Sequence, residues 1–104
     1  MEDIILSLNK VFDSRVRLCI MSILMSHDRV DYNTFKRTLA LTDGNLASHM
    51  KALERYDYIR IYKKFIGRKP NTTYGLSDLG RKDFLAHVQA LQQIVDFNKK
   101  AAKK

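Results

Sequence analysis

The strongest constraint on this chain is a pair of helix start signals placed close together. Asp31 is a good N-cap, and Tyr32, Phe35 and Leu39 follow it along one face of a short helix. Only Leu39, Ala40 and Leu41 lie between that helix and the next start signal. Thr42 is again an N-cap candidate, and Asp43 places negative charge in the first turn, where the helix dipole favours it. Leu46, Met50 and Leu53 then recur at helical spacing. Two short amphipathic helices joined by so brief a turn form a helix-turn-helix.

The flanking segments supply the rest of the fold. Ile4, Ile5, Leu8, Val11 and Phe12 predict a first helix reaching Phe12. Asp13 or Ser14 caps a second, whose apolar positions Val16, Leu18, Cys19, Ile20, Ile23 and Leu24 occupy much of its circumference and make it central. His27-Asp28-Arg29 ends it, and Val30 sits in a short extended link. After Tyr56-Asp57 the period becomes alternating, with Ile59 and Ile61 on one side and Tyr58, Arg60 and Tyr62 on the other. Gly67-Arg68-Lys69-Pro70-Asn71 is turn chemistry, and Thr72, Tyr74 and Leu76 form a returning strand. Ser77 caps a long last helix in which Phe84, Val88, Leu91 and Val95 step by four, three and four, a coiled-coil seam. The expected class is mainly α with a small β-hairpin (α+β).

A chain of 104 residues is one domain's worth. We expect it to occupy residues 1–98, with the last helix over 77–97 and a basic, disordered tail over 99–104. Lys and Arg number 19 against 11 Asp and Glu, a formal +8 that concentrates polyanions. One cysteine permits no internal disulfide and fits a reducing cytosol. No stretch approaches the ~20 apolar residues that span a bilayer, and Met1-Glu2-Asp3 is acidic where a secretory signal would be basic. A cytoplasmic protein with no membrane partner is the expectation. His27, His49 and His87 are scattered and Cys19 reads as a small core residue, so neither metal nor cofactor is expected. Gly67-Arg68-Lys69 lacks the ending of a phosphate-cradling loop, and no nucleophile elbow occurs, so no catalytic residue is assigned.

The segment from Leu41 to Glu54 strongly resembles the recognition helix of MarR/ArsR-like winged-helix regulators. Gly67 to Tyr74 looks like their wing, and Leu76-Ser77-Asp78-Leu79-Gly80-Arg81 resembles the opening of their last helix. The likeness covers roughly residues 8–95 and is closest to a short single-domain subfamily whose entry reads like Phe12-Asp13-Ser14-Arg15-Val16-Arg17. It implies a winged helix-turn-helix with N- and C-terminal dimerisation helices, a homodimer, and binding to pseudo-palindromic double-stranded DNA. The cysteine-containing metal-sensing motif of ArsR-type repressors would fall in the recognition-helix region, where this chain has no cysteine.

A helical wheel bears on the same point. Leu46, Met50 and Leu53 cluster, and the opposite arc holds Gly44, Ser48, Lys51 and Arg55, with Asn45 beside it. With Thr42 these are the candidate DNA-binding residues of the helix: Asn45 and Ser48 for base edges, Lys51 and Arg55 for phosphates. The hairpin has no acid from Arg60 through Gly75, and its candidates are Lys63, Lys64, Arg68 and Lys69, with Arg68 at the tip for the minor groove. Ile4, Leu8, Phe84, Val88, Leu91 and Val95 are the candidate dimer contacts. Taken singly, the polar arc is also what a solvated helix shows, and lysines on a hairpin also block edge pairing. The alternative function is therefore a winged-helix protein–protein interaction module. RNA binding is a weaker third reading, since no aromatic platform on a sheet face is evident. Neither the operator nor any small-molecule effector is legible.

Overall fold

The structure is a computed structural model describing residues 2–102. Its elements are α1 (Glu2–Ser7), a 3-10 turn (Lys10–Phe12), α2 (Arg15–Ser26), β1 (Val30–Asp31), α3 (Tyr32–Leu39), α4 (Asp43–Arg55), β2 (Ile59–Ile66), β3 (Lys69–Leu76) and α5 (Asp78–Ala102). The strands form one antiparallel sheet in the order β1-β3-β2. This is the winged-helix arrangement: three helices on a small sheet whose long strands, β2 and the central β3, project as a hairpin.

As its apolar circumference predicts, α2 is central, and its Ile20, Met21 and Leu24 are fully buried. Phe35 of α3 and Leu46 and Leu53 of α4 close on the same core, joined by Met50, Ile59 and Tyr74. The caps fall where the polar residues stand. Ser14, Asp31 and Thr42 each accept a backbone N–H two or three positions inside their helices. Ser77 lies at the junction of β3 and α5. Its hydroxyl accepts the Gly80 N–H at 2.8 Å and donates to the Asp57 carbonyl at 2.6 Å. There α5 crosses the start of β2 so closely that a Cβ at Gly80 would run into the Tyr58 carbonyl.

Several expectations are corrected. The N-terminal apolar run is a short helix followed by a 3-10 turn, because Asn9 offers the backbone a competing set of partners. Its Oδ1 accepts the Val11 N–H, its own N–H donates to His87 Nδ1 at 3.0 Å, and its Nδ2 donates to the Tyr58 hydroxyl at 2.8 Å. That hydroxyl donates onward to Asp83 at 2.8 Å. Tyr58 is consequently buried beside Ile59, stacked near Phe12, and does not turn outward with Arg60. Val30 belongs to a third strand, paired with Tyr74. Cys19 is exposed: the buried side of α2 carries Ile20, Met21 and Leu24, and Cys19 faces an open cleft beside α5.

The hairpin turn is also tighter than expected, since only Gly67 and Arg68 separate the strands. Gly67, at φ +64°, occupies the first central position, where a II′ turn requires glycine. Pro70 therefore lies within β3, opposite Phe65. In a two-residue hairpin that second pair is the non-hydrogen-bonded kind, so the missing proline N–H faces the open edge and costs no ladder bond. Helix α5 runs past the expected end at residue 97 to Ala102, through lysines and alanines that favour helix; Lys103 and Lys104 of the expected tail lie outside the described residues.

Two outcomes follow from these conformations. Ala40, between α3 and α4, is left-handed at φ 52°, ψ 50°, a backbone state that penalises any side chain. Ala40→Gly should raise stability by up to about 1 kcal/mol in chemical denaturation. His87 is 4% exposed and accepts a backbone N–H at Nδ1, which requires the neutral ring. Burial lowers its pKa, with Asp13 opposing in part. The unfolded chain takes up that proton first, near pH 6.5. Stability should be full above about 6.5 and fall as pH drops below it. His87→Gln should flatten that part of the curve. Half-buried His49, whose pKa burial and Arg17 also lower, should keep it from becoming wholly flat.

Candidate nucleic-acid interface

Helix α4 is held by its apolar stripe and presented by the opposite one. Leu46, Met50 and Leu53 are buried, whereas Thr42, Gly44, Asn45, Ser48, Lys51 and Arg55 are all exposed. Nothing within 4 Å would meet a Cβ at Gly44, so no contact inside the chain demands a glycine there.

The start of α4 is fixed by α3 through two residues that sequence reasoning did not single out for it. The Tyr32 hydroxyl donates to the Asp43 carbonyl at 3.0 Å, and Lys36 Nζ lies 3.0 Å from Asp43 Oδ1. Lys36 thereby neutralises the one acid in the first turn of α4. The signal was the i, i+4 pair of Tyr32 and Lys36 on α3, legible only once the crossing of the two helices is known.

On one flank, α4 faces the base of the wing across a cleft of about 340 Å³, and both Lys51 and Lys63 line it. Lys64 stands opposite Asn71, and Lys69 opposite Ile66 next to Arg68 in the turn; Lys63, Lys64, Arg68 and Lys69 are all exposed. The structure therefore brings Lys51 and Lys63 together and sets Arg68 and Lys69 apart at the hairpin tip. Phe65 and Ile66, which no reading of the sequence singled out, are also exposed there, at 73% and 61%. On the other flank His49 is half-buried, its Nδ1 3.2 Å from Arg17 Nη1.

The dimer candidates separate into two groups. Phe84 is turned into the chain's own core, edge-on to Phe12 with ring centroids 5.2 Å apart. Val88, Leu91 and Val95 remain exposed along α5, in line with exposed Leu85. Ile4 and Leu8 are half-buried where α1 packs on α5, beside exposed Ile5 and Leu6. Among the described residues no helix is long and apolar enough to cross a membrane, and no group of three or more His, Cys, Asp or Glu is placed to hold a metal.

These features define a winged-helix domain with a basic helix-and-wing face, and comparison with known proteins assigns the family. Residues 16–95 match the model of the winged helix DNA-binding domain, and the chain belongs to that family. It is 32% identical over 85 residues to an uncharacterized protein of Methanocaldococcus jannaschii, covering 82% of this chain and 92% of that one. A transcriptional regulator homologue from Pyrococcus horikoshii has the same fold at a TM-score of 0.79 and 28% identity, covering 91% and 92% of the two chains. A protein of Enterococcus faecalis assigned to the MarR family of transcriptional regulators superposes at a TM-score of 0.77 with 19% identity, covering 99% and 92%. The protein thus carries a winged helix DNA-binding domain, and its fold is shared with proteins described as transcriptional regulators.

The role of Lys36 can be separated from folding. Its ion pair with Asp43 is largely exposed, so Lys36→Met should change stability by less than about 1 kcal/mol. It leaves the Asp43 carboxylate uncompensated at the start of α4, and affinity for all duplexes should fall together. Equal affinity of variant and wild type in fluorescence anisotropy would contradict this.

Proposed function

We propose that the protein is a dimeric, sequence-specific repressor that acts in the cytoplasm on a pseudo-palindromic site. The observation that carries the reading is the exposure of every residue of the polar stripe Gly44, Asn45, Ser48, Lys51 and Arg55 beside a wing whose Lys63 shares a cleft with Lys51. Asn45 and Ser48, near the start of α4, reach base edges; Lys51, Arg55, Lys63 and Lys64 meet phosphates; Arg68 and Lys69 approach the minor groove or its rims. Two copies of α4 enter major grooves about one helical turn apart. Occupying a promoter in this way excludes other proteins from it. Support for the dimer comes from α5, where Val88, Leu91 and Val95 are 39–47% exposed in the single chain. A twofold mate would cover that stripe together with Ile5 and Leu6.

Helix and wing should fail differently. Asn45→Ala or Ser48→Ala should change base preference at particular half-site positions, by roughly 1–3 kcal/mol for each good hydrogen-bonded base pairing removed. Arg68→Ala should weaken binding to operator and random DNA alike and flatten the salt dependence by about one unit of slope per subunit. Salt titrations on both duplexes measure this. Unchanged affinity and slope for Arg68→Ala would remove the wing from the interface. No retention of the wild type on any DNA at low salt would leave the protein-interaction role instead.

The α5 stripe gives a separate test. Replacing Val88 and Leu91 together by glutamate should yield a folded monomer with much weaker operator affinity. Sedimentation showing the wild type monomeric at micromolar concentration would end the dimer reading.

A further inference from the structure

We propose that a basic cleft on the flank of α4 away from the wing is a phosphate seat. The cleft, of about 250 Å³, lies between the 3-10 turn, the start of α2 and the end of α4. Lys10, Arg17 and Arg55 line it with Val11, Ala52 and Tyr56, and no carboxylate does. Nor does a carboxylate reach these cations from elsewhere: among the described residues the one salt bridge is Lys36–Asp43. Three like charges converging on one opening repel each other, and an anion placed between them reverses the sign of that interaction.

Arg17 is prepared for such an anion. Its Nε donates to the Val11 carbonyl at 2.6 Å, and its Nη1 meets His49 Nδ1 at 3.2 Å. Two of the five N–H groups of the guanidinium are thereby engaged, and the planar fork is held in place with the others still to donate. A pair of phosphate oxygens is the ligand that geometry suits, because it takes two parallel N–H bonds. Lys10 and Arg55, both exposed, add charge from either side.

The place of the cleft points to the source of the phosphate. Ser48, half-buried Ala52 and Arg55 step by four and three along one side of α4, and Ala52 and Arg55 are already walls of the cleft. Lys51, on the other side of that stripe, lines the cleft shared with the wing. A helix lying in a major groove has a sugar–phosphate backbone along each of its sides. The wing takes one, and Lys10, Arg17 and Arg55 face the other. This assignment rests on the DNA-binding reading, whereas the chemistry of the seat does not; a free phosphate group is the other source that the same donors would accept.

Two measurements on the full chain distinguish these sources, using Lys10→Gln and Arg55→Gln combined, with Arg17 kept because it also holds Val11 and His49. The first is a salt titration on random-sequence duplex. The double variant should lose about one unit of slope per subunit and bind every sequence more weakly. The second is a titration with inorganic phosphate alone, followed by the NMR signals of Arg17 Nε–H and the His49 ring. Millimolar phosphate should move them in the wild type and not in the variant. A reduced salt slope assigns the seat to the DNA backbone. Moved signals with an unchanged slope assign it to a free phosphate group. If the wild type binds no duplex, the DNA reading fails and the phosphate titration alone decides the seat. An unchanged slope together with unmoved signals overturns the proposal.

Discussion

The burial of one stripe of α4 against α2 decides which face of the molecule can meet DNA. Leu46 and Leu53 reach zero exposure, and Met50 nearly does, against a helix whose Ile20, Met21 and Leu24 are equally enclosed. Each such side chain is worth about 1.5–3 kcal/mol of transfer free energy, so together they fix the rotation of α4 far more strongly than any single polar contact. Once that rotation is set, helix geometry alone turns Gly44, Asn45, Ser48, Lys51 and Arg55 outward. Residues on this face can vary without disturbing the core, because the two stripes share no side chain.

A second constraint ties the ends of the chain to that core. Asn9, Tyr58 and the α5 residues Asp83 and His87 come from three segments of the chain, and hydrogen bonds at 2.8–3.0 Å join them. No buried side-chain nitrogen or oxygen among the described residues lacks a partner, so the network does not charge the fold for a stranded polar group. Its effect is directional: it sets the path of the chain between α1 and α2 and packs the 3-10 turn against α5. The same turn supplies Lys10 and the Val11 carbonyl that hold and complete the Arg17 cleft. A polar network beneath α5 therefore also shapes one flank of the recognition helix.

Much of this was legible in the sequence, for identifiable reasons. Caps at Ser14, Asp31, Thr42 and Ser77, and the change of period after Tyr56, are local signals, and local signals survive the absence of a structure. The readings that failed depended on what lay across the chain. Asn9 ends a helix because His87 and Tyr58, distant in sequence, are there to receive it. Cys19 sits among apolar neighbours on α2 and is nonetheless exposed, because α5 leaves a cleft over that side. Phe84 belongs to the helical stepping of Val88 and Leu91, yet Phe12 draws it into the core. At the interface the exposed arc of α4 was readable from the wheel, but the clamp by Tyr32 and Lys36 and the approach of Arg17 to His49 required the crossing angles.

Charge completes the argument. A formal +8 on a chain this small destabilises the compact state through self-repulsion unless it is compensated or spread. Here it is not compensated internally: the described residues contain a single salt bridge, and it serves to mask Asp43 at the start of α4. Five of the cations gather on the flanks of α4, Lys51 with Lys63 on one side, beside Glu54, and Lys10 with Arg17 and Arg55 on the other, where no carboxylate lines the cleft. A solvated surface gains nothing from that convergence, since charges spread evenly would repel less. Convergence has a physical return only when a polyanion runs along both flanks at once, which is what a duplex presents to a helix lying in its major groove.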